Sequence, residues 1–117
     1  MNFKLLFFVL LLGFMFVSCG DDDDEGETCN TSDITYTNTV AAIFSNNCAF
    51  SGCHATGTTT TFSLGSYDDA VIAAGFGRMI GALSHQAGFT PMPQGGSMLD
   101  QCTIDQVAAW INAGTPE

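Results

Sequence analysis

The chain has 117 residues, which leaves room for one domain. Two basic residues stand against twelve acidic ones, a formal net charge of −10. Arg78 is the one basic residue after position 18, so nucleic acid and anionic lipid surfaces are poor partners and no nucleic-acid binding is expected. A partner protein with a basic face, or one that docks through an apolar edge, fits this charge better.

Residues 1–18 have the pattern of a signal peptide. The apolar run over residues 5–17 is long enough for a signal-peptide core and short for a transmembrane span. It ends in FVSCG, which resembles a bacterial lipobox with Phe16 in place of the usual Leu. The resemblance implies that Cys19 is acylated and anchors the mature protein in the membrane. The alternative is ordinary secretion with Cys19 unpaired.

Residues 19–30 are predicted to be a lipid-anchored acidic tether. The run DDDDE that follows Cys19 carries like charges, which repel one another and extend a chain. It also resembles the acidic stretch behind the acylated Cys of surface-exported lipoproteins in the Bacteroidetes. We therefore expect an outer-membrane lipoprotein of the cell envelope, on the periplasmic or the surface-exposed face.

Residues 31–117 are predicted to form one all-α domain of three to four short helices joined by long loops. The first helix has an apolar stripe at three- and four-residue spacing, with Asp33 or Thr35 as its cap and an end near residues 46–47. Ser66 is the predicted cap of a second helix. That helix should stop at Gly75.

A short third helix is predicted from Arg78 to Ser84. The last helix is predicted to begin at a capping box in which Thr103 and Gln106 satisfy each other's backbone donors. Its apolar face carries Trp110 alongside, and Gly114 with the following proline should end it. The alternating residues 60–64 are assigned to a loop, because a single short strand has no partner here.

The segment Cys48-Ala-Phe-Ser-Gly-Cys53-His54 carries the chemistry of a covalently attached haem. Each thiol can add across one haem vinyl group, and the adjacent imidazole can ligate the iron. Four residues separate the thiols where two are usual, so Cys53 and His54 fit better than Cys48. Attachment through Cys53 alone is the weaker form of the hypothesis. Gly52 would let the longer loop turn tightly.

Met92 is the predicted distal ligand, because the prolines on either side confine its backbone and hold its thioether in place. A Met opposite His raises the reduction potential and suits electron transfer. Met79 and Met98 are competing ligands. His85 would instead give a bis-His site of lower potential; otherwise it is a surface histidine or one that bonds near a propionate.

Three motifs in this order resemble the monohaem c-type cytochromes, and more narrowly small haem-binding lipoproteins and modules of Bacteroidetes and Planctomycetes. They are the residues 43–54 that end in Cys-His, the Met-Pro-Gln-Gly-Gly run from Met92, and Trp-Ile-Asn-Ala-Gly from Trp110. The resemblance covers roughly residues 34–114. It implies a cytochrome c-like fold around one haem c, with Cys48 and Cys53 as thioether anchors and His54 and Met92 as the axial ligands.

Two further roles depend on this resemblance. With three thiols assigned to lipid and haem, Cys29 and Cys102 remain, and they precede the first and last helices, which pack together in the resembled fold. An oxidising envelope should join them in a disulfide. Arg78 would pair with a haem propionate, or else with Asp68 or Asp69 at the surface.

The leading hypothesis is a lipid-anchored single-electron carrier with redox partner proteins. No general acid–base pair or small-molecule substrate is indicated, so we expect no enzymatic activity of its own. One rival is a haem-free surface lipoprotein for adhesion or assembly, with two disulfides among four Cys and three possible pairings. Another is a haem-based sensor or enzyme subunit. A zinc site is weaker, because no second pair of ligands accompanies Cys53 and His54.

Overall fold

The computed structural model of the chain describes residues 28–58 and 60–117. Within these ranges a π-helical turn is followed by four α-helices and no strand, so the predicted all-α class is confirmed. None of the described helices is long and apolar enough to cross a membrane. The predicted signal peptide, Cys19 and the tether up to residue 27 lie outside the described residues. The elements are the π-helical turn Tyr36–Val40, α1 Ala41–Asn47, α2 Tyr67–Gly75, α3 Met79–Leu83 and α4 Gln101–Asn112.

Thr35, one of the two predicted caps, begins the first helical segment. Its hydroxyl accepts a hydrogen bond from the backbone N–H of Asn38 at 3.2 Å, and the Asn38 side chain accepts one from the Thr35 N–H at 2.9 Å. This reciprocal capping box satisfies two donors that a helix start leaves free. The π-helical turn continues directly into α1, which ends at Asn47 as predicted.

The two middle helices lie where the sequence placed them. The Ser66 hydroxyl accepts a hydrogen bond from the Asp69 N–H at 3.3 Å, and α2 ends at Gly75. The third helix is one residue shorter at each end than the predicted range from Arg78 to Ser84. Residues 60–64 contain no strand, which confirms their assignment to a loop.

The start of α4 was predicted wrongly, because the cap is Asp100 rather than Thr103. The Asp100 carboxylate accepts hydrogen bonds from the Thr103 N–H at 2.9 Å and the Thr103 hydroxyl at 2.6 Å. These bonds hold the pKa of Asp100 below its ordinary value, and the bond from the Thr103 hydroxyl contributes most. A carboxylate at a helix start is also favoured by the helix dipole. Gln106 does not complete a capping box and instead donates to the Asn30 carbonyl at 3.1 Å.

The end of α4 is a Schellman motif, in which the two N–H groups beyond the helix bond back to its last turn. Gly114 donates to the Ile111 carbonyl at 3.0 Å, and Thr115 donates to the Trp110 carbonyl at 2.9 Å. Gly114 has φ +87°, a left-handed conformation that glycine adopts without a Cβ penalty. The predicted stop at Gly114 is therefore confirmed.

Trp110 lies at the centre of the core and is fully buried. The Phe44 ring meets it edge-on, with ring centroids 6.2 Å apart, and the Tyr36 ring is tilted against it at 6.3 Å. Burying a side chain of this size dominates the apolar stabilisation of a small domain. The buried apolar residues are Ile34, Val40, Phe44, Leu64, Ala70, Ala73, Ala74, Leu83, Ile104, Val107 and Trp110.

The C-terminal tail is bonded to three parts of the fold. The Pro116 carbonyl accepts hydrogen bonds from the Tyr36 N–H at 2.8 Å and from the Trp110 indole at 2.9 Å. The Tyr67 hydroxyl donates to the Thr115 carbonyl at 2.8 Å. The tail thus gives the buried indole N–H its partner and joins the π-helical turn, α2 and α4. We call these three bonds the tail clasp.

Cys29 and Cys102 form a disulfide, as the resemblance implied, with their Cα atoms 5.4 Å apart. Because α4 begins earlier than predicted, Cys102 lies in its first turn rather than before it. The bridge spans 73 residues of sequence. In the chain-entropy account, closing a loop of that length stabilises the folded state by about 4 kcal/mol.

Deleting residues 115–117 should destabilise the domain, because the buried Trp110 N–H then loses its acceptor. An unsatisfied buried donor costs about 1–3 kcal/mol. For a domain of this size that corresponds to a fall in melting temperature of about 4–8 °C per kcal/mol, measured by thermal denaturation. Removing Glu117 alone is the matched control, since the Pro116 oxygen is kept. Equal melting temperatures for both deletions would contradict the role of the tail clasp.

Candidate functional site

The segment with the two thiols forms a closed loop at the end of α1. Cys48 is the C-terminal cap of that helix, and its carbonyl accepts a hydrogen bond from the His54 N–H at 3.2 Å. Inside the loop the Cys53 N–H donates to the Phe50 carbonyl at 2.9 Å, which makes a tight turn. Gly52 occupies this turn with φ +82°, as its predicted role requires. The turn thus lies between the two thiols.

The two thiols differ in exposure. Both are free, with Cys48 half-buried and packed against the core and Cys53 exposed. Burial raises the pKa of the Cys48 thiol from 9.0 to about 11, and the nearby charge of Cys53 adds to the shift. Cys48 therefore stays protonated at neutral pH.

His54 is oriented by a backbone contact eight residues along the chain. Its Nδ1 atom lies 3.0 Å from the Phe62 carbonyl oxygen. A carbonyl only accepts, so the neutral ring carries its proton on Nδ1 and keeps the Nε2 lone pair free. No described residue forms a hydrogen bond with Nε2. Metal-binding histidines usually donate their second ring N–H to a carbonyl or carboxylate in this way.

A row of rings adjoins His54. The Phe62 ring stacks on the imidazole with centroids 5.1 Å apart and an interplanar angle of 7°, and Phe76 stacks on Phe62 at 5.9 Å. Phe76 is 56% exposed, and Ile72, one helical turn earlier on α2, is 59% exposed. Large exposed apolar groups in a cluster mark a binding surface more often than isolated ones do. We call Phe62, Ile72 and Phe76 the apolar shelf.

Met92 is half-buried against the core and tied to the end of α3. Its N–H donates to the Ala82 carbonyl at 3.0 Å, and its own carbonyl lies 3.1 Å from Nε2 of His85. The structure thus joins the predicted distal ligand to its rival by a hydrogen bond. Among the competing methionines, Met79 packs against the core as the first residue of α3, and Met98 is 46% exposed.

Arg78 contacts an aromatic ring rather than a carboxylate. Its guanidinium carbon lies 5.2 Å from the centroid of the Phe89 ring, a cation–π distance. No ion pair joins Arg78 to Asp68 or Asp69, all three of which are described. Arg78 is exposed, so its guanidinium is accessible to an anionic group.

The site residues come from two loops on one core. Cys48, Phe62 and Met92 all pack against the buried cluster around Trp110. Together the loops offer two free thiols, an imidazole with an unengaged nitrogen and a thioether, which match the attachment and axial groups of a haem c. The described residues contain no group of three or more His, Cys, Asp or Glu side chains placed to hold a metal ion.

Sequence reasoning missed the apolar shelf and the carbonyl that orients His54. The available signal was weak: Phe62 is a large apolar residue in a loop rich in Thr and Gly. Its contact with His54 joins residues eight apart across an irregular loop, and no periodicity predicts such a contact.

No protein-family model matches the chain, and no curated protein or solved structure is detectably similar to it.

Without attached haem, Cys53 should react with iodoacetamide well before Cys48. The thiolate is the nucleophile, and the pKa of about 11 keeps Cys48 protonated. The rate at which Cys48 reacts with iodoacetamide should rise about tenfold per pH unit between pH 7 and 10. Mass spectrometry of the labelled peptides measures both rates, and the protein unfolded in urea is the control. Equal rates in the folded protein would contradict the burial of Cys48.

The raised pKa of Cys48 also determines how the stability of the fold changes with pH. The folded state favours the neutral Cys48 thiol, because its pKa there is about 11 against an ordinary value of 9.0. The folded state therefore binds more protons between these two values. Cys48 contributes full stability below pH 9, and this contribution should fall as the pH rises toward 11. Cys48→Ala should remove this part of the pH dependence in urea denaturation.

Proposed function

We propose that the protein is a membrane-anchored monohaem c-type cytochrome that carries single electrons. The observation that carries the proposal is the bond between Nδ1 of His54 and the Phe62 carbonyl. It leaves Nε2 as the free nitrogen of a histidine directly after a Cys. A histidine that served only for packing would not need its proton held on Nδ1 and its Nε2 left free. Here that arrangement lies beside two free thiols, as in a metal-binding histidine.

Each residue would have one task toward the haem. The S–H groups of Cys48 and Cys53 would each add across a vinyl C=C bond, so that one C–S and one C–H bond form and nothing is released. His54 would supply Nε2 and Met92 its thioether sulfur as ligands to the iron. When bound, the haem supplies a one-electron couple between Fe(II) and Fe(III).

The surroundings suit a flat apolar cofactor. The apolar shelf offers exposed ring and aliphatic surface beside His54, which a bound porphyrin would remove from water. Arg78 is accessible to an anion, and a propionate is the group on a haem that it would pair with. His85 and Met92 are alternative sixth ligands, of which Met92 is preferred because the Nε2 atom of His85 already has a partner.

The wider setting belongs to the same proposal. A signal peptide over residues 1–18 and an acylated Cys19 would make this an outer-membrane lipoprotein, with residues 19–30 as its acidic tether. Twelve carboxylates against two basic residues favour redox partner proteins that present a basic or an apolar face. Neither enzymatic turnover nor nucleic-acid binding forms part of this function.

A haem-free surface lipoprotein for adhesion or assembly is the second candidate. The Cys29–Cys102 disulfide and the core around Trp110 favour it, since both are built from protein side chains alone. The two candidates differ at Cys48 and Cys53. These are thioethers in a cytochrome, whereas in the alternative they are free thiols or a second disulfide. A haem protein without a firm sixth ligand would instead be a sensor or an enzyme subunit, and it would bind carbon monoxide readily.

Covalent haem tests the proposal. In a host that attaches haem c, the mature protein should keep its haem stain on a denaturing gel, and Cys53→Ala should remove most of it. Cys48→Ala should keep a stain, with a haemochrome band shifted toward that of a haem retaining one free vinyl. Ser51→Ala is the matched control, since it changes an exposed side chain of the same loop and keeps both thiols.

Two outcomes would contradict the proposal. An unstained wild-type band in the presence of active haem attachment would favour the haem-free lipoprotein. A stain that persists in the double variant Cys48→Ala/Cys53→Ala would show that the loop does not attach the haem. An unshifted band in Cys48→Ala would restrict the covalent attachment to Cys53.

A further inference from the structure

His85 occupies a backbone position where glycine is the favoured residue. It follows the cap of α3 in a Schellman motif: the His85 N–H donates to the Ala82 carbonyl at 3.2 Å, and the Gln86 N–H donates to the Gly81 carbonyl at 2.9 Å. His85 has φ +49°, a left-handed conformation that is unfavourable for a residue with a Cβ atom. At the corresponding position after α4 the chain has Gly114.

The His85 side chain has a contact that glycine could not make. Its Nε2 atom lies 3.1 Å from the carbonyl oxygen of Met92, and because a carbonyl only accepts, Nε2 is the donor. The Met92 N–H is bonded to the Ala82 carbonyl at 3.0 Å. Both backbone groups of Met92 are therefore fixed to the end of α3, one directly and one through His85.

The segment between His85 and Met92 is seated on the same helix. A Cβ atom at Gly81 would lie 2.7 Å from the Phe89 ring, so this ring packs directly against the backbone of α3. Arg78 covers Phe89 at 5.2 Å. The loop is thus held at its middle, where the Phe89 ring packs on Gly81, and at its end, where Met92 makes two hydrogen bonds. His85 supplies the one side-chain hydrogen bond to Met92 within the described residues.

We propose that His85 is a positioning residue for Met92, holding its backbone so that the thioether is presented in a fixed place. That Met92 must be held in place to ligate an iron rests on the proposed cytochrome function. The hydrogen bond from His85 to Met92 is present without haem. It gives His85 a role other than that of alternative iron ligand. While Nε2 donates to the Met92 carbonyl, that nitrogen is not available to a metal.

The variant His85→Gly separates positioning from stability. Glycine relieves the left-handed backbone, so the melting temperature should stay equal or rise. The Met92 amide should nevertheless exchange hydrogen about fivefold faster, as expected for the loss of one hydrogen bond's support. Gln86→Ala is the matched control: it alters an exposed neighbouring side chain and keeps the backbone bond to Gly81. Unchanged exchange of Met92 in His85→Gly would overturn the proposal.

In the haem-loaded protein His85→Gly should weaken the absorption band of methionine-ligated ferric haem and increase carbon monoxide binding, with the covalent stain unchanged. An unchanged band would overturn the proposal. Met92→Ala keeps the backbone carbonyl, so His85 should stay bonded and the site should bind carbon monoxide readily. A bis-His spectrum in Met92→Ala would make His85 a ligand instead. If no haem attaches, the cytochrome function fails, and the amide exchange still tests the His85 contact.

Discussion

The buried indole of Trp110 is the contact on which the rest of the domain depends. Phe44 from α1 and Tyr36 from the π-helical turn pack against its ring, and the tail returns to bond its N–H. A large side chain with one polar atom is stable in a core only when that atom finds a partner. The tail clasp meets this need, and it fixes the first and last helical segments to each other in doing so.

Both halves of the candidate site lie just beyond the ends of helices that this core holds. Cys48 caps α1, and the residues after α3 place Met92. Helix ends leave carbonyl groups free, and here those carbonyls accept bonds from the two loops of the candidate site. The Phe44 carbonyl accepts from Cys48, and the Ala82 carbonyl accepts from Met92. Rigid helices thereby fix the start of one loop and the end of the other.

Local signals in the sequence predicted much of this fold. Thr35 and Ser66 are caps, and Gly75 and Gly114 end helices, because each depends on neighbours within a few residues. The start of α4 was missed because Asp100 and Thr103 are both acceptable caps, and propensity alone does not choose between them.

The candidate site likewise contains features that the local sequence predicts and contacts that it does not. Cys48, Cys53 and Gly52 could be read from their spacing, and the turn at Gly52 is present. The carbonyl that orients His54 and the bond from His85 to Met92 span seven or eight residues through irregular loops. Such contacts depend on how the loops pack on the core. No pattern of residue types specifies them, so they became visible only in three dimensions.

The disulfide also determines how force would travel through the molecule. A load applied at residue 28 enters Cys29 and passes through one covalent bond into the first turn of α4. From there it continues along the helix to Trp110. The chain between Cys29 and Cys102, which includes both loops of the candidate site, lies outside this path. Tension between residue 28 and the C-terminal end of α4 would thus pass through the longest of the described helices rather than through the loops that hold Cys53, His54 and Met92.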